Sequence, residues 1–114
     1  MSIIKISTDY TKYPGARYYE DGKFSGQDFF DTILDKSFKS SLENKEKLTV
    51  DLDGTTGFAS SFLSEAFGLL AEKHGVQIVL DNIIIISNEE PDWKAKVLND
   101  YIPNATKRKK RPTK

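Results

Sequence analysis

The chain has 114 residues, of which 38% are hydrophobic and 30% charged, and it contains no cysteine. This length suits one domain with a genuine core, and the absence of cysteine excludes disulfides and thiolate chemistry. The longest apolar run, Ile83–Ile86, is far too short to span a membrane, and the first residues lack a signal-peptide pattern. We therefore expect a cytoplasmic protein with no membrane partner.

The formal net charge of zero conceals an uneven distribution of charge. Six of the 17 basic residues lie in residues 107–114, whereas residues 1–106 hold all 17 acidic residues and carry a net charge of −6. A run of like charges beside Pro112 is typical of a disordered, solvated end. We predict one domain over 1–106 and a disordered basic tail over 107–114. Nucleic acid is an alternative ligand for the tail, although the acidic body offers no supporting basic surface.

The N-terminal quarter has the pattern of short strands joined by turns. Ile3, Ile4 and Ile6 predict a first strand, and Tyr13-Pro14-Gly15 predicts a turn. Tyr18-Tyr19 is interpreted as a second strand that ends at Asp21-Gly22, a hairpin-type signal. We expect a β-meander here.

Apolar residues at helical spacing predict three helices further along the chain. The first is capped by Ser25 and runs to about residue 43, the second covers 60–74, and the third covers 90–102 with Pro91 in its first turn. Gly75 is the expected stop of the second helix.

Strands are predicted between these helices at 48–52 and at Val76–Leu80, a β-branched run. The run Ile83–Ile86 either prolongs the latter strand or forms a separate one. A strand, a helix and a strand in succession imply a parallel pair with a right-handed crossover. The fold class is therefore a compact α/β domain, with a mixed sheet of about four strands packed by about three helices.

The segment after the strand at 48–52 admits an enzymatic interpretation. Asp51-x-Asp53-Gly54-Thr55 resembles the first motif of haloacid-dehalogenase-type phosphatases. That resemblance implies Asp51 as nucleophile, Asp53 as acid/base and a magnesium ion between them. However, only about 60 residues follow the motif, and no acidic pair ends a later strand. A magnesium phosphohydrolase is thus the less favoured hypothesis.

Four other side chains are candidates for a functional or a structural role. Ser60 and Ser61 open the second helix, where one is expected to cap it, but an exposed hydroxyl there could also be phosphorylated. His74, in the last helical turn, is interpreted as structural, because a metal site would need further ligands. Arg17 either pairs with an acidic residue of the body or anchors an anion or a partner.

Several segments taken together resemble the bacterial STAS-like domain of unknown function. They are Pro14–Arg17, Asp21-Gly22, Ser25-Gly26 with Phe29, and the run Ser-Ser-Phe-Leu-Ser-Glu-Ala-Phe-Gly at 60–68. The resemblance covers most of residues 3–102. That family is in turn similar to the STAS domains of anti-sigma-factor antagonists, which are small sheet-and-helix proteins.

The resemblance implies a non-enzymatic regulatory module that binds a protein partner, such as a GHKL-type ATPase or kinase. Phosphorylation of a serine at the start of the second helix switches such antagonists off, and the matching residue here is Ser60, followed by Ser61. The chain departs from the antagonist pattern at Ala59, where the pattern has aspartate, and at Phe62, where it has glycine. No catalytic residue, metal or cofactor is expected. The expected partner-binding residues are Arg17, Asp53, Gly54, Phe58, Ser60, Ser61 and Glu65.

Overall fold

The structure is a computed structural model that describes residues 2–105. A three-stranded parallel sheet forms from β1 (Ser2–Lys5), β2 (Leu48–Asp51) and β3 (Ile83–Ile86), in that spatial order. The predicted α/β class is confirmed. The expected mixed sheet of about four strands is wrong, because the described residues form three strands and all of them are parallel. The predicted tail over 107–114 lies outside the described residues.

The segment that follows β1 is mostly loop. It begins with a short helix, α1 (Ile6–Asp9), and includes a 3₁₀ turn at Tyr19–Asp21. The predicted β-meander is wrong, since Ala16 makes only an isolated bridge with Ser25. The Asp21 carboxylate accepts the backbone N–H of Tyr18 at 3.2 Å, so a local side-chain hydrogen bond closes a tight turn in place of a hairpin.

A long helix then connects β1 to β2. It consists of α2 (Gly26–Phe29), a π-helical turn (Phe30–Leu34) and α3 (Asp35–Glu43). The predicted cap is confirmed, because the Ser25 hydroxyl oxygen accepts the backbone N–H of Asp28 at 2.9 Å. This hydrogen bond fixes where the helix begins.

Two helices connect β2 to β3. The first, α4 (Ser60–His74), has the predicted bounds and ends at Gly75, whose φ of +97° suits glycine. The strand predicted at Val76–Leu80 is wrong, because these residues belong to α5 (Val76–Asn82). Gly75 turns the chain directly from α4 into α5, and Ile83–Ile86 takes the position beside β2. Tertiary packing thus overrides the β propensity of the branched side chains.

The helices cover one face of the sheet and leave the other open. In the row Ile4, Val50 and Ile85 every residue is at most 3% exposed, whereas on the opposite face Ile3 is 54% and Ile84 44% exposed. The core between sheet and helices is aromatic and aliphatic. Its largest fully buried side chains include Phe29, Phe38, Phe62, Phe67, Leu34, Leu48, Leu52, Leu63 and Leu70.

The chain described ends in a final helical segment. It comprises α6 (Pro91–Lys96), with Pro91 in its first turn as predicted, and a π-helical turn (Val97–Tyr101) that packs against α4. Within residues 2–105, no helix combines the length and the apolar character needed to cross a bilayer.

Candidate functional site

The three strands end at the same edge of the sheet because they are parallel, and the turn after β2 lies at that edge. The Asp53 carboxylate accepts the backbone N–H groups of Asn88 (3.1 Å) and Glu89 (2.9 Å), which follow β3. The Gly54 N–H donates to the Glu89 carboxylate at 2.8 Å. The hydrogen bond from the Glu89 N–H, together with that from Asn88, lowers the pKa of Asp53. Asp53 therefore joins the turn after β2 to the loop after β3.

Gly54 is required by its conformation and by its neighbour. Its φ is +93°, and a Cβ at this position would lie 2.7 Å from the Ser7 hydroxyl oxygen. Any L-residue here would be strained, and the Ser7 hydroxyl would have to move to make room for its Cβ. The predicted role of Asp53-Gly54 in shaping the loop is consistent with this close approach.

Asp51, at the end of β2, also has structural partners. Its Oδ1 accepts the backbone N–H of Asp53 at 2.9 Å, and its Oδ2 lies 3.4 Å from the Lys5 ammonium. In the part of the chain that the structure describes, no three acidic or histidine side chains gather into a group that could hold a metal ion. Both aspartates of the phosphatase-like motif therefore make hydrogen bonds to other residues of the domain.

The loop between Gly54 and α4 is fastened to the N-terminal loop. The Thr56 N–H and hydroxyl both donate to the Lys12 carbonyl, at 2.9 and 3.0 Å, and the Ala59 N–H donates to the Pro14 carbonyl at 3.3 Å. Phe58 is half-buried in aromatic contacts with two helices. Its ring centroid lies 5.7 Å from that of Phe62 in α4 and 4.9 Å from that of Trp93 in α6.

Ser60 and Ser61 form the first turn of α4, but neither caps it. The cap position is occupied by Ala59, which offers no side-chain acceptor, so the expectation that one serine caps the helix is wrong. Ser60 is exposed and Ser61 is half-buried. Neither hydroxyl makes a hydrogen bond within residues 2–105. Both remain chemically available at the end of the helix that favours negative charge.

Arg17 and Glu65, two of the expected partner-binding residues, are in contact with one another. The guanidinium lies 3.5 Å from Glu65 Oε1, and Glu65 is only 3% exposed. The salt bridge expected as one alternative for Arg17 is therefore present. It attaches the N-terminal loop to the second turn of α4.

His74 lies at the other end of α4, remote in sequence from the candidate residues. Its Nε2 is 2.7 Å from Asp35 Oδ1, and the Lys73 ammonium is 2.6 Å from Asp35 Oδ2. Burial alone would raise the pKa of Asp35, but the hydrogen bonds from Lys73 and His74 hold this pKa below its usual value. This cluster fits the structural interpretation of His74. Sequence reasoning missed Asp35, because nothing in its local pattern indicates a partner about 38 residues away.

Comparison with known protein families finds one family model that matches this chain. The model of the STAS-like domain of unknown function (DUF4325) matches residues 25–93, which is more than half of the chain. The chain belongs to this STAS-like family. The matched part of the STAS-like domain extends from the Ser25 cap to Trp93 and contains the whole of α4 and the turn before it. Among curated proteins and solved structures, no significant match is found.

Proposed function

We propose that this STAS-like domain is a non-enzymatic regulatory module that binds a protein partner at the corner between β2 and α4. The observation that carries the proposal is the exposed Ser60 hydroxyl, which has no partner in the described fold and stands in the first turn of a helix. A kinase can reach such a hydroxyl without unfolding the domain. Ser61, half-buried beside it, is the second candidate.

Phosphorylation at this position would alter the surface and leave the helix intact. A phosphoserine adds a charge of about −1.5 to −2, and negative charge near a helix N-terminus is favourable. The added charge would therefore act mainly on a bound partner. It would repel an acidic surface on the partner. It would also replace the small hydroxyl, against which the partner had packed, by a larger group.

The other expected contact residues contribute chiefly by holding the corner in place. Asp53 and Gly54 fix the turn to the loop after β3, Phe58 packs on two helices, and Arg17 pairs with Glu65. A rigid corner presents Ser60 in one position, which reduces the entropy lost on binding. By analogy with the antagonists, the partner we propose is a GHKL-type ATPase or kinase in the cytoplasm.

The alternative functions have less support. A phosphohydrolase would need Asp51 and Asp53 free to act on phosphorus and its leaving group, whereas both carboxylates are hydrogen-bonded within the fold. We expect no phosphatase turnover that Asp51→Asn abolishes. The nucleic-acid hypothesis rests on the basic residues in 107–114, outside the described residues. No observation within 2–105 favours it.

The corner is tested by the affinity for the partner after charge is introduced at Ser60. We expect Ser60→Asp to weaken binding on the order of tenfold or more, equivalent to about 1.4 kcal/mol, in isothermal titration calorimetry. Ser40→Asp introduces the same charge at an exposed serine of α3 and should bind as the unmodified protein does. Unchanged affinity of Ser60→Asp would remove this corner from the interface.

The partner for that titration comes from a pull-down with the tagged protein from its native lysate, with and without ATP, analysed by mass spectrometry. Recovery of a GHKL-type ATPase, with phosphate on Ser60 or Ser61 only when ATP is present, supports the switch. Unmodified serines in the presence of the recovered kinase would contradict it.

A further inference from the structure

A groove separates α3 from β1, the strand at one edge of the sheet. It has a volume of about 320 Å³ and is lined by Ser2, Ile3, Lys36, Ser37, Ser40 and Leu48. The two serines of α3 have short side chains, which leave the space between the helix and the strand open. Pockets for small molecules have volumes of about 300–1,000 Å³, so the groove is large enough for a small ligand.

The three residues that α3 contributes to the groove lie on one face of the helix. Lys36 and Ser40 are four positions apart, and Ser37 and Ser40 are three positions apart, so their side chains are neighbours on the helix surface. Lys36 and Ser40 are exposed, and Ser37 is half-buried. A ligand in the groove would therefore meet an ammonium group and two hydroxyls close together.

These three side chains are not engaged by other residues in the part of the chain that the structure describes. Lys39, in the same helix, pairs with Asp35 at 3.4 Å, whereas Lys36 forms no ion pair there. The hydroxyls of Ser37 and Ser40 make no hydrogen bond there either. All three groups can therefore bind a ligand without breaking a contact of the fold.

The edge strand adds a backbone donor to the groove. The Lys5 N–H points away from β2, because it donates to the Asp9 carboxylate at 2.8 Å. Backbone groups along a parallel strand alternate in direction, so the Ile3 N–H also points away from β2, and Ile3 as a whole is 54% exposed. The Ser2 hydroxyl contributes no donor, since it already donates to Glu46 at 3.1 Å.

A lysine and unengaged donors with no carboxylate among the lining residues favour an anionic ligand. A phosphate group has oxygens on all sides, so it can accept from the ammonium, both hydroxyls and the backbone N–H together, and lysine is a common phosphate ligand. A carboxylate has only two oxygens and would leave some of these donors unused. Phosphate occupies only part of the groove, so an organic group fits beside it.

We propose that this groove binds a small phosphorylated molecule, with its phosphate held by the Lys36 ammonium, the Ser37 and Ser40 hydroxyls and the Ile3 N–H. Free phosphate has the same chemistry, and the experiment below distinguishes the two. The site lies between α3 and β1, so it does not depend on partner binding at the corner between β2 and α4. Solvent screens the exposed lysine, so the dissociation constant is about 1 mM.

Titration of the full chain with inorganic phosphate at constant ionic strength, followed by amide NMR spectra, tests the site. The amides of Ile3, Ser37 and Ser40 should shift and saturate together. Reading the affinity at these amides alone separates the groove from any phosphate bound by the basic residues 107–114. A second titration with glycerol 3-phosphate distinguishes the sources: tighter binding indicates a phosphate monoester, and equal binding indicates free phosphate.

Matched lysine variants test the role of the ammonium group. Lys36→Gln should weaken phosphate binding about fivefold, the upper range for an exposed ion pair, because it removes the charge and keeps a polar side chain. Lys96→Gln removes the same charge from an exposed position of α6 and should leave the affinity unchanged. The amide spectra themselves verify that both variants are folded.

Three results would overturn the proposal. The first is the absence of a shift at the three amides up to about 10 mM phosphate, where a site with a dissociation constant of about 1 mM would be roughly 90% occupied. The second is equal weakening by Lys36→Gln and Lys96→Gln, which would mean that only net charge attracts the anion. The third is acetate binding as tightly as phosphate, which would show that the donors do not recognise a phosphate group.

Discussion

Asp53 shows how one side chain can determine the shape of a whole corner. Its two carboxylate oxygens each accept one backbone N–H, so asparagine, with one acceptor oxygen, would lose one hydrogen bond and the negative charge that strengthens the other. The two backbone N–H groups that it binds follow β3, and the residue itself follows β2. These hydrogen bonds join the loops after two strands and so fix the turn that leads into α4.

We expect Asp53→Asn to lower the free energy of unfolding by about 1 kcal/mol at pH 7, which is less than the usual value of about 1.5–3 kcal/mol for a hydrogen bond to a charged group because solvent screens this accessible site. Because the folded-state pKa of Asp53 is lowered, its contribution is present above the unfolded pKa and is lost as pH falls through the folded value. Urea unfolding of wild type and variant, compared at pH 7 and near pH 3, measures this. The difference between the two proteins should shrink at the lower pH.

Glu43→Gln is the control for Asp53→Asn, since it removes one carboxylate charge from an exposed position near the end of α3. We expect its unfolding free energy to follow wild type at both pH values. An equal loss in the two variants would mean that net charge, and not the hydrogen bonds of Asp53, determines the effect.

The packing of two elements, α2 on α4, depends on the absence of a side chain at Gly26. A Cβ at this residue would collide with the Phe62 carbonyl oxygen and lie 3.1 Å from Glu65 Cβ. The colliding atom belongs to the backbone of α4 and cannot rotate away as a side chain could. The Gly26 N–H also donates to the Ala16 carbonyl in the N-terminal loop at 2.8 Å.

We expect Gly26→Ala to lower the free energy of unfolding by about 1–3 kcal/mol, because overpacking outweighs the gain in helix propensity. Thermal unfolding followed by circular dichroism measures the loss. Gly15→Ala is the control, since its Cβ would meet nothing closer than the Tyr13 carbonyl oxygen at 3.9 Å. A Gly26→Ala protein as stable as Gly15→Ala would show that α2 can move away from α4 at little cost.

The elements also show how far sequence reasoning reaches. The cap at Ser25, the bounds of α4 and the turn at Gly75 were predictable, because each rests on local chemistry that the sequence displays. The segment Val76–Leu80 was not, since its branched residues suit a strand until α4 offers a surface for a helix. The strands that pair with a parallel strand are distant in the chain. The sequence alone therefore could not show whether Ile83–Ile86 forms a separate strand or continues the one predicted at Val76–Leu80.

The candidate corner between β2 and α4 was predictable in part, because some of its residues are neighbours in the chain. The residues of the turn and of the first helical turn are contiguous, so their proximity follows from the chain itself. The contact between Arg17 and Glu65 crosses 48 positions, and the sequence supplied only their opposite charges. The hydrogen bonds from Asn88 and Glu89 to Asp53 involve backbone groups, which carry no signal in the side-chain pattern.

At the scale of the whole molecule, two polar clusters hold opposite ends of α4. Asp53 fixes the turn that leads into the helix, and Asp35 of α3 binds Lys73 and His74 at its last two residues. The helix has 15 residues and is therefore about 22 Å long. Clusters so far apart share no side chain, and both depend on an ionised carboxylate with a lowered pKa.

We expect the losses from Asp35→Asn and Asp53→Asn to add within about 0.5 kcal/mol in the double variant, because sites more than about 10 Å apart act independently. The folded-state pKa is lowered at both sites, so wild type should lose stability as pH falls below the unfolded value of about 3.9. The double variant should lose less over the same interval. Urea unfolding of the four proteins between pH 7 and pH 3 measures both effects.

A loss in the double variant well above the sum of the single losses would contradict independence. It would mean that α4 transmits strain from one end to the other, so that releasing the Asp35 cluster loosens the corner that holds Ser60. The two single variants distinguish these cases, because only a coupled helix makes the exchange of amides in 55–61 sensitive to Asp35→Asn. With independent ends, Asp35→Asn accelerates exchange near Asp35 itself and near Lys73 and His74, and the candidate binding corner keeps its wild-type protection.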